Sequence, residues 1–250
     1  MSADAVIDGR DLVQRIGTQE ILRGFSIPGF RGETLVLMGK SGGGKSVFLR
    51  HLIGPMKPIS GQILVEGVDI TKFSERALEP VRRKIGMVFQ DGALFDSMTV
   101  FENVAFPLRE RGERNETTIS RKVADTLALV NMAGHEKKMP VNLSGGMRKR
   151  VALARAIVSP PEVILYDEPT AGLDPIVSDS INRLIRRMQR QLQATSIVVT
   201  HDMVSCNHIA DRVALLHEGR VYSYGTTEDL KRTQDPIIRD FVDGRSNEAD

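Results

Sequence analysis

Gly39, Lys40, Ser41, Gly42, Gly43, Gly44, Lys45 and Ser46 fill every position of the phosphate-loop pattern, and this run constrains the fold more than any other stretch of the chain. Thr34 to Met38 before it reads as a short apolar strand, and Val47 to Ile53 after it has helical spacing, so the loop joins a strand to a helix. Glycines let successive N–H groups turn inward toward phosphate oxygens, and the helix N-terminus adds a partial positive charge. In this pattern Lys45 reaches the β- and γ-phosphates and the Ser46 hydroxyl ligates Mg²⁺. A glycine-rich corner that merely turns the chain needs neither the Lys-Ser pair nor the flanking elements.

Further short apolar runs, Ile85 to Phe89, Val163 to Tyr166, Ser196 to Thr200 and Arg212 to Leu216, alternate with longer segments of helical period. Such alternation predicts an α/β fold with a mostly parallel sheet covered by helices. Strand signals around Ala5 to Asp8, Phe25 to Ile27 and Gln62 to Val65 predict an antiparallel β-layer beside it. Between Asp91 and Pro140 the strand signals stop. A capping box begins at Thr99 with Glu102, a polar loop is expected at Arg109 to Asn115, and a helix over Thr117 to Met132. The reading is one domain over 1–250: a core plus β-subdomain at 1–90 and 141–234, a helical subdomain at 91–140, and a tail at 235–250, frayed from Gly244 onward.

Composition limits the alternatives. A net charge of +2 does not by itself argue for nucleic acid binding, and the basic clusters Arg82 to Lys84, Arg148 to Arg150 and Arg186 with Arg187 read more simply as solvated helix faces. One cysteine, Cys206, cannot make an intramolecular disulfide. No apolar run approaches the roughly 20 residues that cross a bilayer, and the first residues lack the pattern of a secretory signal. A cytoplasmic location is expected, with any membrane role supplied through a partner.

Three further segments carry chemistry. The apolar strand at Val163 ends in Asp167 and Glu168; Asp167 is placed to hold Mg²⁺ and Glu168 to activate water, although an acidic turn has the same look. Ser144, Gly145 and Gly146 open an apolar-periodic helix, which describes either an ordinary serine cap or a second anion site at a helix start. His201 follows the strand ending at Thr200, and alone it is more simply a surface or core histidine.

In order along the chain, the phosphate loop, Gln90, the segment Leu143 to Met147, Asp167 with Glu168, Gly172 to Asp174, and His201 resemble the successive motifs of the ATP-binding cassette (ABC) ATPases. The resemblance spans nearly the whole chain. It implies a P-loop NTPase fold, ATP and Mg²⁺ as cofactors, and a head-to-tail dimer with two shared ATP sites. Each ATP then sits between one copy's loop, Gly39 to Val47, and the Ser144, Gly145, Gly146 and Met147 signature of the other. It further implies Glu168 as general base, His201 on the γ-phosphate, Gln90 on Mg²⁺ or the attacking water, and Asp174 linking the two sites.

The family usually stacks adenine on an aromatic residue shortly before the phosphate loop, but Leu12 to Gly17 contains none, so Arg15 or Ile16 is expected to cover the base. Met147 stands where many members have Gln. With Phe89 to Phe95, Thr99 to Leu108 and Asp235 to Gly244, it resembles the ATPases of Mla-type bacterial phospholipid transporters that work with MCE-domain proteins. That subgroup implies an integral permease, an MCE lipid-binding protein, a STAS-domain regulator, and a position on the cytoplasmic side of the inner membrane. A permease helix would dock near Gln90 and the Asp91 to Phe106 segment, where Leu94, Phe95 and Phe106 either offer apolar contact or pack inside. The alternatives are a transporter ATPase for another substrate, such as amino acids, or a cassette ATPase acting on ribosomes or DNA. One cassette with no long coiled-coil insertion argues against the latter, and no nucleic acid partner is expected.

Overall fold

The computed structural model describes residues 5–243, so the segment expected to fray, 244–250, lies outside the described residues. Strands β1 (Ala5–Ile16), β2 (Gln19–Phe30), β4 (Ser60–Val65) and β5 (Val68–Asp69) form an antiparallel sheet in the order β2-β1-β4-β5. The second sheet contains β3 (Thr34–Gly39), β6 (Ile85–Val88), β7 (Val163–Asp167), β8 (Thr195–Val199), β9 (Arg212–His217) and β10 (Arg220–Gly225) in the order β10-β9-β3-β8-β7-β6. Its pairings are parallel except for the β9-β10 hairpin. β1 and β2 are twice the length or more of their sequence signals because bulges let the hairpin bend without losing its pairing.

Strand alternation divides the core. Val36, Met38, Ile164, Tyr166 and Val198 face one side of the larger sheet, whereas Leu35, Leu37, Val163, Leu165, Ile197 and Val199 face the other. Both faces are covered, which is why these strands read as continuous apolar runs. The second side packs against the antiparallel sheet, α1 (Lys45–Ile53) and α2 (Glu75–Arg83). The first side carries α3 (Val100–Glu110), α4 (Glu116–Leu129), α5 (Gly145–Ile157), α6 (Pro175–Leu192) and α7 (Met203–Ile209). α5 lies so close to β6 that a Cβ on Gly86 would stand 2.7 Å from the Ala156 carbonyl oxygen.

The capping box at Thr99 and Glu102 is present, and α3 extends to Glu110, through Arg109 and Glu110 of the stretch expected as loop. Asn115 caps α4 by accepting from Thr118 N. After β10, α8 (Thr227–Arg232) and α9 (Pro236–Asp243) follow; Leu230 and Ile238 are buried in the core, so residues 236–243 are a docked helix rather than a tail.

The basic clusters keep the solvated face expected of them at Arg83, Arg148 and Arg187, and most of their members also clamp neighbouring segments. Arg82 donates to Ile53 O, Arg148 to Leu143 O, and Arg150 to Val130 O and Ser180 Oγ. Arg186 pairs with Asp211 through both guanidinium nitrogens, Arg187 donates to Leu129 O, and Lys84 pairs with Glu66. The bonds to Ile53, Leu129, Val130 and Leu143 satisfy backbone carbonyls at helix and loop ends.

The fold also gathers the chemistry. β3 leads into the phosphate loop, β6 into Gln90, β7 into Glu168 and β8 into His201. These four strands are neighbours, so the segments converge at the carboxyl edge of the sheet, where open α/β sheets bind ligands.

Candidate functional site

A cleft of about 460 Å³ opens at that edge. Ser41 to Val47 line its floor, Gln90 and Glu168 stand on one wall, and Ile16, Gln19 and Ile21 of the β1-β2 hairpin on another. Gly44 caps α1 in a left-handed conformation (φ 100°), and a Cβ there would lie 2.6 Å from Leu22 Cδ2. The position therefore demands glycine for both backbone and space. α1 has no side-chain cap and no acidic residue in its first turn, so its leading N–H groups are available to an anion.

Lys45 is buried. Its ammonium donates to the carbonyls of Gly39 (2.7 Å) and Lys40 (2.9 Å), neither of which is among the lining residues of the cleft. Burial lowers the Lys45 pKa, and the nearby Glu168 and Asp167 charges oppose that shift. Ser46 Oγ donates to Asp167 Oδ1 at 2.8 Å, although the two residues lie far apart in sequence. A hydroxyl and a carboxylate oxygen thus meet beside the phosphate floor. Hard oxygen donors of this kind suit Mg²⁺, which commonly takes one or two protein ligands plus phosphate oxygens and water. Among the described residues no cluster of three or more His, Cys, Asp or Glu side chains could cage a metal alone.

Glu168 follows β7 with φ at 46°, a left-handed conformation that costs a non-glycine residue of order 1–3 kcal/mol. Its own N–H donates to Val199 O (2.9 Å), its carbonyl accepts from Ala171 N, and its largely buried carboxylate accepts from His201 Nδ1 at 2.9 Å. The strained backbone aims the side chain into the cleft, whereas the imidazole of His201 stands mostly in solvent.

Ser144 caps α5 by accepting from Met147 N, so the ordinary cap geometry is present. None of Ser144 to Met147 lines the cleft of its own chain. Asp174 is exposed and caps α6 by accepting from Ile176 N and Val177 N. Arg15 is exposed and outside the cleft lining, while Ile16 lies on it, 48% exposed; the two alternate across the strand, so only one can face the cleft. Phe95 is exposed and lies against Phe106, ring centroids 4.9 Å apart and planes tilted by 52°, while Leu94 packs against the core.

Sequence reasoning missed Gln19, Ile21, Arg50 and Lys149. Arg50 lies one helical turn beyond Ser46, a spacing that α1 makes readable. Lys149 is buried under the cleft wall, and its ammonium donates to Gln90 O and to Glu168 O (3.2 Å). Nothing in its basic surroundings marks it in the sequence.

Residues 22–171 match the ABC transporter family. The chain is 40% identical to the "Probable ribonucleotide transport ATP-binding protein mkl" of Mycobacterium leprae, over 98% of this chain and 71% of that one. It is 39% identical to the "Intermembrane phospholipid transport system ATP-binding protein MlaF" of Haemophilus influenzae, over 97% of this chain and 92% of that one. Among solved structures it resembles cbiO1 of Clostridium perfringens, part of an ABC transporter complex, with a TM-score of 0.84, 32% identity, and coverage of 95% and 94% of the two chains. It also resembles a dimeric ATP-binding cassette in a post-hydrolysis state bound to ADP and Pi, with a TM-score of 0.80, 28% identity, and coverage of 88% and 98%.

Proposed function

We propose, from the premise that the chain belongs to the ABC transporter family and is an ATP hydrolase acting with Mg²⁺, that it drives phospholipid movement between bacterial membranes. The observation that carries the cargo is the match to MlaF, which runs almost end to end in both chains. The chain sits at the cytoplasmic face of the inner membrane, held there by an integral permease. An MCE lipid-binding protein and a STAS-domain regulator complete the assembly. No helix among the described residues is long and apolar enough to cross a membrane. The name of the mycobacterial relative supports a second reading, the same engine with a ribonucleotide cargo.

In the mechanism we propose, the α1 N–H groups and Lys45 hold the β- and γ-phosphates, with the loop from Gly39 to Val47 as their cradle. Ser46 and Asp167 would hold Mg²⁺, which when bound neutralises charge developing on the phosphates. His201 fixes one oxygen of Glu168 and leaves the other to take the proton of the attacking water. Gln90 orients that water or the metal from the same wall as Glu168. The signature residues Ser144, Gly145, Gly146 and Met147 lie outside their own cleft, which supports their use on the nucleotide of a second copy. Asp174 lies between the two sites. ATP bridging both copies stabilises the closed dimer, and loss of the γ-phosphate contacts releases it. Phe95 and Phe106 beside the Gln90 segment offer the apolar contact for the permease.

Affinity purification from native membranes in mild detergent, with partners identified by mass spectrometry, tests the assignment. An integral permease together with an MCE protein is expected. A permease with a different solute-binding protein leaves the engine and removes the lipid cargo, and recovery with ribosomes or DNA alone overturns the transporter reading.

A further inference from the structure

Lys149 occupies a position that hydrolysis as described above does not use. It is 7% exposed, and it projects from α5, the helix opened by Ser144, into the junction between β6 and β7. Its ammonium is bonded not to a carboxylate but to two backbone carbonyls, those of Gln90 and Glu168. Farther along the same helix Arg155 donates to Gly92 O (2.9 Å) and Ala93 O (2.7 Å), and its guanidinium lies over the Phe95 ring, 5.8 Å from the centroid. Two cations of one helix therefore hold three carbonyls of the segment that carries Gln90, and one of them also holds the residue whose backbone is strained.

A buried ammonium without a direct carboxylate partner is costly unless its hydrogen bonds are good. Here burial lowers the Lys149 pKa, while the charges of Asp91, Glu168 and Asp167 favour the charged form. A neutral apolar residue would fill the same space without that cost. What it would lose is the link between the backbones of Gln90 and Glu168, and with it one of the bonds that keep Glu168 at positive φ.

We propose that Lys149 is a positioning residue: it ties the signature helix to the backbones of Gln90 and Glu168, so that the seating of that helix sets the aim of both side chains. Arg155 extends the tie to Gly92 and Ala93, beside the apolar pair Phe95 and Phe106. The proposal rests on the assignment of Gln90 and Glu168 to hydrolysis.

The test is steady-state ATP hydrolysis by the purified full chain, with nucleotide binding measured separately. Lys149→Met is expected to lower kcat at least tenfold with KM for ATP and nucleotide affinity changed less than about threefold. Lys149→Gln, which keeps an amide donor for one carbonyl, is expected to fall about threefold and so to recover part of the loss. A purely structural role would lower the melting temperature and the active fraction without that ordered split between kcat and KM. If Lys149→Met does not fold, the Gln variant decides alone. Parity with the parent in kcat for either folded variant overturns the proposal. Glu168→Gln serves as the control: if it stays fully active, the assignment of the base falls and the proposal falls with it, whereas an inactive Glu168→Gln beside a fully active Lys149→Met removes the proposal alone.

Discussion

Glu168 is held by an unusual number of constraints for one side chain: a left-handed backbone, a donor from His201 on its carboxylate, and Lys149 on its carbonyl. If it is the base, Glu168→Gln keeps its shape and its seat but cannot take a proton. Hydrolysis is expected to fall roughly 10²–10⁴-fold, about 3–5 kcal/mol of barrier, with ATP affinity retained. A phosphate-release assay beside a binding titration checks both halves, and near-normal turnover removes Glu168 from the role. Cys206 is inert for the opposite reason. Burial pushes its thiol up to about 12, so at pH 8 native protein is expected to react with iodoacetamide at least about tenfold more slowly than unfolded chain. Above about pH 9 the unfolded thiol loses its proton while the native thiol keeps it, so this residue lowers stability as pH rises from there toward 12. Intact mass after timed labelling measures the rate. The phosphate loop, Asp167 and Glu168 were legible because their chemistry forces residue type and order together. Lys149 was not, since a buried lysine and an exposed one between Arg148 and Arg150 look alike until the helix has been packed.

At the scale of elements, the parallel strands were readable because burial on both faces leaves them almost wholly apolar, and the capping box announced α3. α2 was missed because it buries only Leu78, contains Pro80, and is otherwise largely charged. Likewise β10 was hidden, since it lies at a sheet edge with no fully buried residue and so lacks the alternation that marks a strand. What no pattern conveyed is how closely elements approach. α5 crosses β6 where Gly86 leaves room for the Ala156 carbonyl. Gly86→Ala sets a methyl against backbone, which cannot rotate away, and is expected to cost about 1–3 kcal/mol and several degrees of melting temperature. Thermal unfolding followed by circular dichroism gives the number. An unchanged melting temperature would mean that α5 rides more loosely on the sheet than this contact implies.

For the whole molecule, the cleft is formed by one chain but the signature helix opens elsewhere on its surface. Ser144→Arg adds a long cation at that helix start, where it crowds any nucleotide presented by a second copy. ATP binding to the monomer is expected to persist, while nucleotide-dependent dimerisation and hydrolysis are lost. Light scattering with a nonhydrolysable ATP analogue, followed by a turnover assay, checks this. Full activity in the variant would mean that each chain hydrolyses ATP without its partner's signature. The order of the motifs along the chain already points to such sharing. Which residue of the β1-β2 hairpin meets the base did not follow from that order, because Arg15 and Ile16 are adjacent and only strand register separates them.

Ile16, on the cleft wall, has a consequence for the choice of fuel. An aromatic platform typically contributes about 1–3 kcal/mol of stacking to each base it covers, and an aliphatic side chain half open to solvent forgoes much of that. If Ile16 is what covers the base, recognition falls chiefly on the triphosphate, which every nucleotide shares. GTP is expected to be hydrolysed with a kcat/KM within about tenfold of that for ATP, and Ile16→Tyr to tighten both; a hundredfold preference for ATP in the parent protein would mean that the base is read by other contacts. If that holds, such an engine would burn whichever purine triphosphate the cell holds in greatest supply, leaving the choice to metabolism rather than to the protein.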